Sequence, residues 1–166
     1  MFRIEPMDAA AEAAYPEILD ICFGPDRKKK ISYRFRDGVE PSRQFALAAY
    51  DGERMIGAIQ YWPCMVQGCR AELLGPVAVL PAYRGRGAAR ALVTQSLVLC
   101  RKAGIDIVVL VGDPALYRQY GFLPASAQSM YIPDENPART QIKPFTVRGG
   151  RARGAVLPVE PMRGAA

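Results

Sequence analysis

The stretch VAVLPAYRGRGAAR, residues 77 to 90, ends an apolar run with a turn that carries three arginines and two glycines. Its first residues form the end of a predicted buried strand. After the turn, apolar residues recur at helical spacing, namely Ala89, Leu92, Val93, Leu97, Cys100 and Ala103. The stretch therefore predicts a strand, a tight turn and an α-helix with one buried face.

The turn has the composition of a phosphate-binding site. A helix N-terminus presents unpaired backbone amides and the positive end of the helix dipole. Small residues at positions 85 and 87 to 89 leave those amides open to a phosphate. The turn is not a dinucleotide fingerprint, because Arg90 stands where a third glycine would fall, and it lacks the Lys-Ser/Thr pair of a P-loop. A plain connection exposed to solvent remains the alternative.

The first forty residues predict one strand followed by helices. Residues 2 to 6 form the strand, and the helix after it is capped by Asp8 and ended by Gly24. We expect Pro16 to divide this helix in two, because proline lacks the amide that a helix interior needs. Residues 26 to 38 predict a second, basic helix, whose Arg/Lys cluster is favoured as a solvated face over a binding patch.

Residues 44 to 80 predict an antiparallel meander. The Asp-Gly pair at 51 and 52 joins two apolar runs in the manner of a hairpin, and a second turn at 67 and 68 leads into the last strand. Pro76 cannot donate a hydrogen bond to a neighbouring strand. We therefore expect a bulge or a parting of strands beside Gly75 and Pro76.

The β-branched run IDIVVLVG, residues 105 to 112, predicts a buried strand. Asp113 and Pro114 then predict the capped start of a short helix that ends at Gly121. Strands and helices in this order indicate an α/β (α+β) fold, with a mixed, mostly antiparallel sheet flanked by helices. We expect one domain over residues 1 to 166, with its core at about 40 to 125 and a poorly defined C-terminal part at 133 to 166.

The composition excludes several kinds of chemistry. The chain has no histidine, which removes the commonest general base, the Ser/His and Cys/His dyads and most zinc sites. Its four cysteines show neither CxxC spacing nor the density of a disulfide-stapled domain, so we expect reduced thiols and no metal site. The net charge of +6 favours an anionic partner: nucleic acid, a membrane surface, an acidic carrier protein or a phosphorylated cofactor.

Two of these partners are disfavoured by the sequence. The aromatic residues are not interleaved with Arg and Lys along any strand, as a stacking platform for nucleic acid requires. No apolar run reaches the roughly 18 residues that span a bilayer, and the N-terminus MFRIEPMDAA lacks a signal sequence. We therefore expect a cytoplasmic protein with no nucleic-acid or membrane partner.

Two motifs together resemble the GNAT superfamily of acyl-CoA-dependent N-acetyltransferases. The pattern Arg84-x-x-Gly87-x-Ala89 after VAVLPAY resembles the family's pyrophosphate-binding motif. The segment LYRQYGF, residues 116 to 122, is similar to the Tyr-x-x-x-Gly-Phe that often closes the family's core. The longer run GDPALYRQYGF looks most like a branch of bacterial predicted N-acetyltransferases. The resemblance is good over residues 40 to 125 and implies a single-domain GNAT-like fold.

The resemblance also implies a cofactor site. Val77, Ala78 and Val79 would offer backbone groups to the pantetheine arm of acetyl-CoA or another acyl-CoA. Tyr117 would lie near the thioester sulfur, where its hydroxyl can protonate the leaving thiolate. The pyrophosphate would be held by the backbone amides of the turn, which comprises Arg84, Gly85, Arg86, Gly87, Ala88, Ala89 and Arg90.

The chain departs from the family's pattern at the residues that could act as the general base. Asp113 stands where many members have an asparagine, and it is either a helix cap or a cofactor ligand. The strand that carries a glutamate in some members has no central carboxylate here, and Glu72 is the nearest substitute. The direction of Glu72 depends on the bulge, because one extra residue turns a side chain to the other face. Glu72, Asp113 and a water chain all remain open as the base.

The resemblance implies transfer of an acetyl or other acyl group to an amine by direct attack in a ternary complex. The acceptor is a small-molecule or peptide amine, and a homodimer is left open. An acyl carrier protein is an alternative acyl donor, because its acidic surface would suit the basic faces of this chain. The alternative in which the protein is not an enzyme is a non-catalytic module that senses coenzyme A.

Overall fold

Eight strands form one mixed sheet in the computed structural model, which describes residues 2 to 161. The strands of the chain have the following bounds: β1 (Arg3–Pro6), β2 (Leu47–Asp51), β3 (Arg54–Val66), β4 (Cys69–Val79), β5 (Ile107–Val111), β6 (Leu123–Pro124), β7 (Met130–Tyr131), β8 (Thr140–Pro144), β9 (Gly154–Ala155) and β10 (Leu157–Pro158). The strand order is β1-β2-β3-β4-β5-β8-β6, and β10 pairs with β3. The β4–β5 pair is parallel, and the other pairs of this sheet are antiparallel. A separate parallel pair joins β7 to β9. This architecture confirms the predicted mixed, mostly antiparallel sheet.

The helices are α1 (Ala9–Phe23), α2 (Ala88–Lys102), α3 (Pro114–Tyr117) and α4 (Val147–Gly150). No helix within residues 2 to 161 has both the length and the apolar character needed to cross a bilayer.

Opposite faces of the sheet bury α1 and α2. Ala48, Ala58 and Ala78 lie opposite one another on β2, β3 and β4, and they pack against the buried side chains of α1. The next residue along β3 is Ile59. It belongs to the hydrophobic cluster that packs against α2 and includes Leu92 of that helix. Successive side chains of a strand point to opposite faces, so the small alanines make room for one helix and the branched residues pack against the other.

Helix α1 runs unbroken through Pro16, which differs from the predicted division in two. Pro16 is exposed, so its ring lies away from the face of the helix that packs on the sheet. The side chains that pack on the sheet come from both halves of the helix, namely Ala11, Tyr15, Ile18 and Leu19. Tertiary packing on both sides of the proline therefore keeps the helix continuous.

The predicted basic helix over residues 26 to 38 is also wrong. The chain forms two short 3₁₀ turns there, Pro25–Lys29 and Ile31–Phe35, which are separated by Lys30 in an extended conformation. The first turn buries Arg27, whose Nε donates to Asp20 Oδ1 of α1 at 2.8 Å. The second turn buries Phe35 in the core on the other side of the break. These two anchors hold the turns apart.

The predicted parting of strands occurs in β4. Its parallel pairing with β5 ends at Leu73, which lies opposite Val109. The register with β3 shifts over the same stretch, since Ile59 pairs with Val77 whereas Tyr61 pairs with Leu74. Beyond Leu73, the edge of β4 that faces β5 has no strand partner in the described part of the chain. The core of the sheet therefore opens into a gap at this point.

Residues 133 to 161 form strands, where the sequence predicted a poorly defined C-terminal part. Strand β8 inserts between β5 and β6, and its Ile142 is fully buried. This covers the free edge of β5, which would otherwise expose unpaired backbone groups. Thr146 Oγ1 then donates to Asp106 Oδ1 at 2.7 Å, just before α4 begins. Residues 162 to 166 lie outside the described part of the chain.

Replacing Gly149 by alanine should destabilise the fold, because a Cβ there would overlap the carbonyl oxygen of Asp106. We expect the free energy of unfolding to fall by about 2 kcal/mol or more, as overpacking against a fixed backbone does. Gly150→Ala is the matched control, since a Cβ at Gly150 meets nothing within 4 Å. Urea denaturation measures both variants, and equal stability of the two would show that the C-terminal part does not dock against β5.

Candidate active site

Two clefts meet beside the end of α3. The turn cleft, about 300 Å³, lies between the end of β4, residues 84 to 90 and α3. The basic cleft, about 680 Å³, lies between the 3₁₀ turns after α1, the parting of β4 from β5, and α3. Four residues line both clefts, namely Phe23, Val77, Leu116 and Tyr117. A molecule in one cleft can therefore reach a molecule in the other.

The glycine turn leaves the start of α2 open. Gly85 and Gly87 have φ of +79° and +88°, a left-handed conformation that side chains rarely adopt. A Cβ at either position would meet nothing within 4 Å, so no protein atom fills the space above the turn. Helix α2 begins at Ala88 without a side-chain cap on its first amides. Its N-terminus thus presents free N–H donors to the turn cleft.

The arginines of the turn lie around these donors. Arg84 Nε donates to the carbonyl oxygen of Val79 at 3.1 Å and ties the turn to the end of β4. The guanidinium of Arg86 lies 5.5 Å from the ring centroid of Tyr83. Neither these two nor Arg90 forms an ion pair with a carboxylate of residues 2 to 161. The mouth of the turn cleft is therefore positively charged.

The edge of β4 forms one wall of both clefts. The Tyr15 hydroxyl lies 2.6 Å from the carbonyl oxygen of Ala58 and 3.1 Å from that of Pro76. It fixes the point at which β4 leaves the line of β5. Val77, Ala78 and Val79 follow, paired with β3 on one side and lining the turn cleft on the other. Their free edge can pair with an extended ligand, as in strand addition.

Tyr117 lies at the junction of the clefts. Its ring packs edge-on against Phe122 at 6.1 Å between centroids, and it covers Gly112, where a Cβ would overlap the ring. Its hydroxyl has no hydrogen-bond partner among residues 2 to 161. Burial raises the pKa of Tyr117 to about 12, and the nearby Tyr120 adds to the effect. The phenol therefore keeps its proton at neutral pH and has a free donor.

Asp113 caps α3. Its Oδ1 accepts from the Ala115 amide at 2.9 Å, and the residue lines the basic cleft but not the turn cleft. The structure thus places this carboxylate in the role of a helix cap, one of the two that the sequence left open.

Glu72 is buried away from both clefts. Its two carboxylate oxygens lie 2.9 and 2.7 Å from Ser42 Oγ, which can donate to one of them at a time. Burial raises the pKa of Glu72 to about 7, and the Ser42 hydroxyl and Arg70 offset part of the rise. Glu72 is therefore a carboxyl that titrates near neutral pH, but it lines neither cleft.

Known proteins resemble the chain in sequence. The model of a family described as "Acetyltransferase (GNAT) domain" matches residues 3 to 125. An uncharacterized N-acetyltransferase of Escherichia coli K12, YhbS, is 36% identical over 126 residues, which cover 74% of this chain and 72% of that protein. The chain belongs to the GNAT family.

Solved GNAT structures share the whole fold. The crystal structure of Escherichia coli YhbS in complex with CoA superposes with a TM-score of 0.77 at 29% identity, and covers 100% of this chain and 93% of that one. A GNAT acetyltransferase of Brucella melitensis in complex with acetyl-CoA has the same fold, with a TM-score of 0.72 at 22% identity and 97% of each chain covered. The predicted GNAT fold and the predicted class, an acyl-CoA-dependent N-acetyltransferase, are thus confirmed.

The structure brings most of the predicted cofactor residues of this GNAT protein to one cleft. The turn cleft is lined by Val77, Ala78, Val79, Arg84, Gly85, Gly87, Ala88, Ala89, Arg90 and Tyr117. Arg86 is the member of the glycine turn that does not line it, since its guanidinium lies over Tyr83. Tyr120 also lines this cleft.

Sequence reasoning missed the residues that form the basic cleft. Arg27, Lys29, Lys30 and Arg36 all line it, although the sequence favoured a solvated face for this cluster. The only signal was the density of basic residues, which cannot tell a face from a cleft. No group of three acidic or cysteine side chains suited to a metal ion occurs within residues 2 to 161.

The raised pKa of Glu72 should make the GNAT fold less stable as pH rises from about 4.5 to 7. In that range the native state holds a proton on Glu72 that the unfolded state has lost, so raising the pH favours unfolding. Glu72→Gln keeps an acceptor for Ser42 and removes the titration. We expect it to be more stable than wild type at pH 8 by roughly 1 to 3 kcal/mol, and about equal near pH 4.5.

Urea titrations at several pH values measure this difference. Glu53→Gln, at an exposed glutamate in the turn between β2 and β3, is the control and should leave the pH profile unchanged. An identical pH dependence in Glu72→Gln and wild type would contradict the proposed burial of an unpaired carboxyl.

Proposed function

We propose that this GNAT acetyltransferase binds acetyl-CoA in the turn cleft and an amine in the basic cleft, and joins them at Tyr117. The observation that carries the proposal is the convergence of the two clefts at one protonated phenol, beside a strand edge without a partner. Phe23 and Leu116 leave large apolar surfaces exposed at this junction, which fits a site that ligands cover.

The turn cleft has the features that acetyl-CoA needs. The amides at the start of α2 and the glycine turn would hold the pyrophosphate, and Arg84, Arg86 and Arg90 would neutralise the remaining charge. The free edge of Val77 to Val79 would pair with the amides of the pantetheine arm. Solved relatives contain CoA or acetyl-CoA, which supports the assignment. When bound, acetyl-CoA supplies an acetyl group activated as a thioester.

Tyr117 acts as the acid in this proposal. An amine that attacks the acetyl carbon displaces the sulfur as a thiolate, which needs a hydrogen bond or a proton. The Tyr117 hydroxyl is protonated and unpartnered at the junction of the clefts, and it donates to that sulfur. Holding both reactants beside it converts the transfer into a reaction within one complex.

The acceptor must also lose a proton before it attacks. Glu72 remains a proposed base because a pKa of about 7 suits proton transfer at neutral pH, but its position outside both clefts requires a chain of polar groups or waters. Asp113 lies in the basic cleft and caps α3. The cationic lining provides a further contribution, since nearby positive charge lowers the pKa of an ammonium group.

We propose a cytoplasmic location on the ground that all four cysteine thiols are free, as in a reducing compartment.

An acyl carrier protein is the alternative donor, and a non-catalytic sensor of coenzyme A is the alternative function. Acetyl-CoA should raise the melting temperature if it binds the native state. Release of CoA thiol over a panel of amines and peptides then separates an enzyme from a sensor, which would bind without turnover.

Gly87→Val should weaken CoA binding more than Arg86→Ala does. The valine side chain enters the space above the amides and strains a residue at φ +88°, whereas Arg86 contributes one exposed charge. We expect the dissociation constant to rise at least about 10-fold for Gly87→Val and about 2- to 5-fold for Arg86→Ala. Isothermal titration with CoA measures both variants.

Gly52→Val is the control for backbone strain alone. Gly52 also has a positive φ, +58°, and no atom within 4 Å of an added Cβ, but it lies in the turn between β2 and β3. It should lose stability and keep its affinity for CoA. Wild-type affinity in a folded Gly87→Val variant would show that the glycine turn is only a connection.

Tyr117→Phe should fold and bind CoA, because the ring that packs on Phe122 and Gly112 is kept. Loss of the hydroxyl removes the proposed acid, so kcat should fall about 10- to 100-fold or more. Tyr120→Phe should have little effect on kcat. Steady-state rates at saturating substrates decide this, together with a burst experiment that establishes whether chemistry limits the wild type. An unaltered rate of the chemical step would remove Tyr117 from the mechanism.

A further inference from the structure

Arg36 lines the basic cleft with a desolvated guanidinium that lacks a carboxylate partner. Its Nε is buried and has no hydrogen-bond partner in the part of the chain that the structure describes. The guanidinium carbon lies 3.7 Å from the ring centroid of Tyr33 and 5.6 Å from the Trp62 ring. Burial lowers the pKa of Arg36, and no carboxylate of residues 2 to 161 lies within ion-pair distance. A charge removed from water without a partner destabilises the fold.

The other arginines of this segment are paired. Arg27 is buried as well, but it donates to Asp20 and, at 2.6 Å, to the Tyr33 hydroxyl. Arg34 is exposed and donates to Asp134 at 3.1 Å. The same stretch of chain thus satisfies two guanidinium groups and leaves the third, Arg36, aimed at the cleft. The usual rule for buried charge predicts that a ligand supplies the missing partner.

The charged residues around the basic cleft indicate the sign of the charge on that ligand. Five cationic side chains line it, and two of them, Arg27 and Lys29, form ion pairs with Asp20 and Asp26. The other three, Lys30, Arg36 and Arg139, have no ion-pair partner within residues 2 to 161 and face two carboxylates, Asp113 and Glu135. Both carboxylates already accept hydrogen bonds from nearby backbone amides, those of Ala115 and Asn136. An acceptor whose only charge is an ammonium group would be repelled from this cleft.

We infer that the amine acceptor also carries an oxyanion, a carboxylate or a phosphate, and that Arg36 binds it. This inference rests on the proposed function, in which the basic cleft holds the acceptor. A guanidinium presents a planar fork of donors that matches either oxyanion, and stacking on Tyr33 fixes the plane of that fork. Ile31 and Leu116 supply apolar walls for the rest of the acceptor.

The anchor also explains how the amine is positioned. An oxyanion held at Arg36 fixes one end of the acceptor among the 3₁₀ turns, and the amine at its other end extends toward Tyr117 across the same cleft. Arg36 is thus a specificity-determining residue, and Lys30, which lines the same cleft without an ion-pair partner within residues 2 to 161, also attracts the anion.

Titration of the CoA-loaded protein with matched amines tests the inference without requiring turnover. The oxyanion set is phenylalanine, γ-aminobutyrate and phosphoethanolamine. The neutral set, named for its second group, which is an uncharged amide or hydroxyl in place of the oxyanion, is phenylalaninamide, γ-aminobutyramide and ethanolamine. At least one oxyanion amine should bind about 10- to 100-fold more tightly than its neutral counterpart. The carboxylate and phosphate members show which oxyanion the cleft prefers.

Arg36→Met should abolish this preference while keeping an unbranched chain to pack on Tyr33. Arg34→Met is the matched control, because Arg34 lies two residues away, is exposed and does not line the cleft. Arg36→Lys keeps the charge without the fork and should retain only part of the preference. It also covers the case in which Arg36→Met does not fold, which thermal melting reports.

Release of CoA thiol from acetyl-CoA, measured on the same amines, tests the oxyanion site and the proposed acetyl transfer separately. Tight, Arg36-dependent binding without thiol release would sustain the oxyanion site and defeat the proposed transfer. Thiol release with neutral amines as good as, or better than, their oxyanion counterparts would sustain the transferase and overturn the inference. Equal affinity within each matched pair also overturns the inference. So does the absence of binding by all of these amines at millimolar concentration.

Discussion

The separation of β4 from β5 after Leu73 is the constraint on which both clefts depend. Two parallel strands that stayed paired would satisfy each other's backbone groups and leave no gap. Here β5 continues against β8 up to Val111, while β4 turns away and keeps only its pairing with β3. Pro76, which has no amide, and the shifted register opposite Tyr61 favour this departure.

The rest of the sheet holds the gap open. The row of alanines on β2, β3 and β4 lets α1 approach closely, and this brings the Tyr15 hydroxyl to the carbonyls of Ala58 and Pro76. Beyond the gap, only two residues separate the end of β5 from the start of α3, so Tyr117 lies over the opening. The C-terminal strand β8 pairs with the far edge of β5 and keeps it in line. Contacts from the whole chain therefore determine the width of one opening.

Two desolvated ionisable groups, the buried carboxyl of Glu72 and the partly buried guanidinium of Arg36, oppose the stability of this arrangement. Glu72 is desolvated beside Ser42, and Arg36 is desolvated between two aromatic rings, yet neither forms an ion pair within residues 2 to 161. Each raises the free energy of the folded state relative to a paired or neutral side chain. Uncompensated charges of this kind concentrate at functional sites, where a ligand or a proton completes them.

The sequence by itself determined the local features of this protein. The glycine turn and the cap at Asp113 depend on residues next to one another, so spacing alone located them, and Pro76 located the parting of strands. Only the tertiary structure decided the rest. Pro16 lies inside one helix because packing on both sides of it outweighs one lost hydrogen bond, and residues 26 to 38 are turns because their anchors lie in different parts of the fold. The burial of Glu72 and the missing carboxylate partner of Arg36 were likewise beyond the sequence, since the groups that surround a side chain come from strands and turns far along the chain.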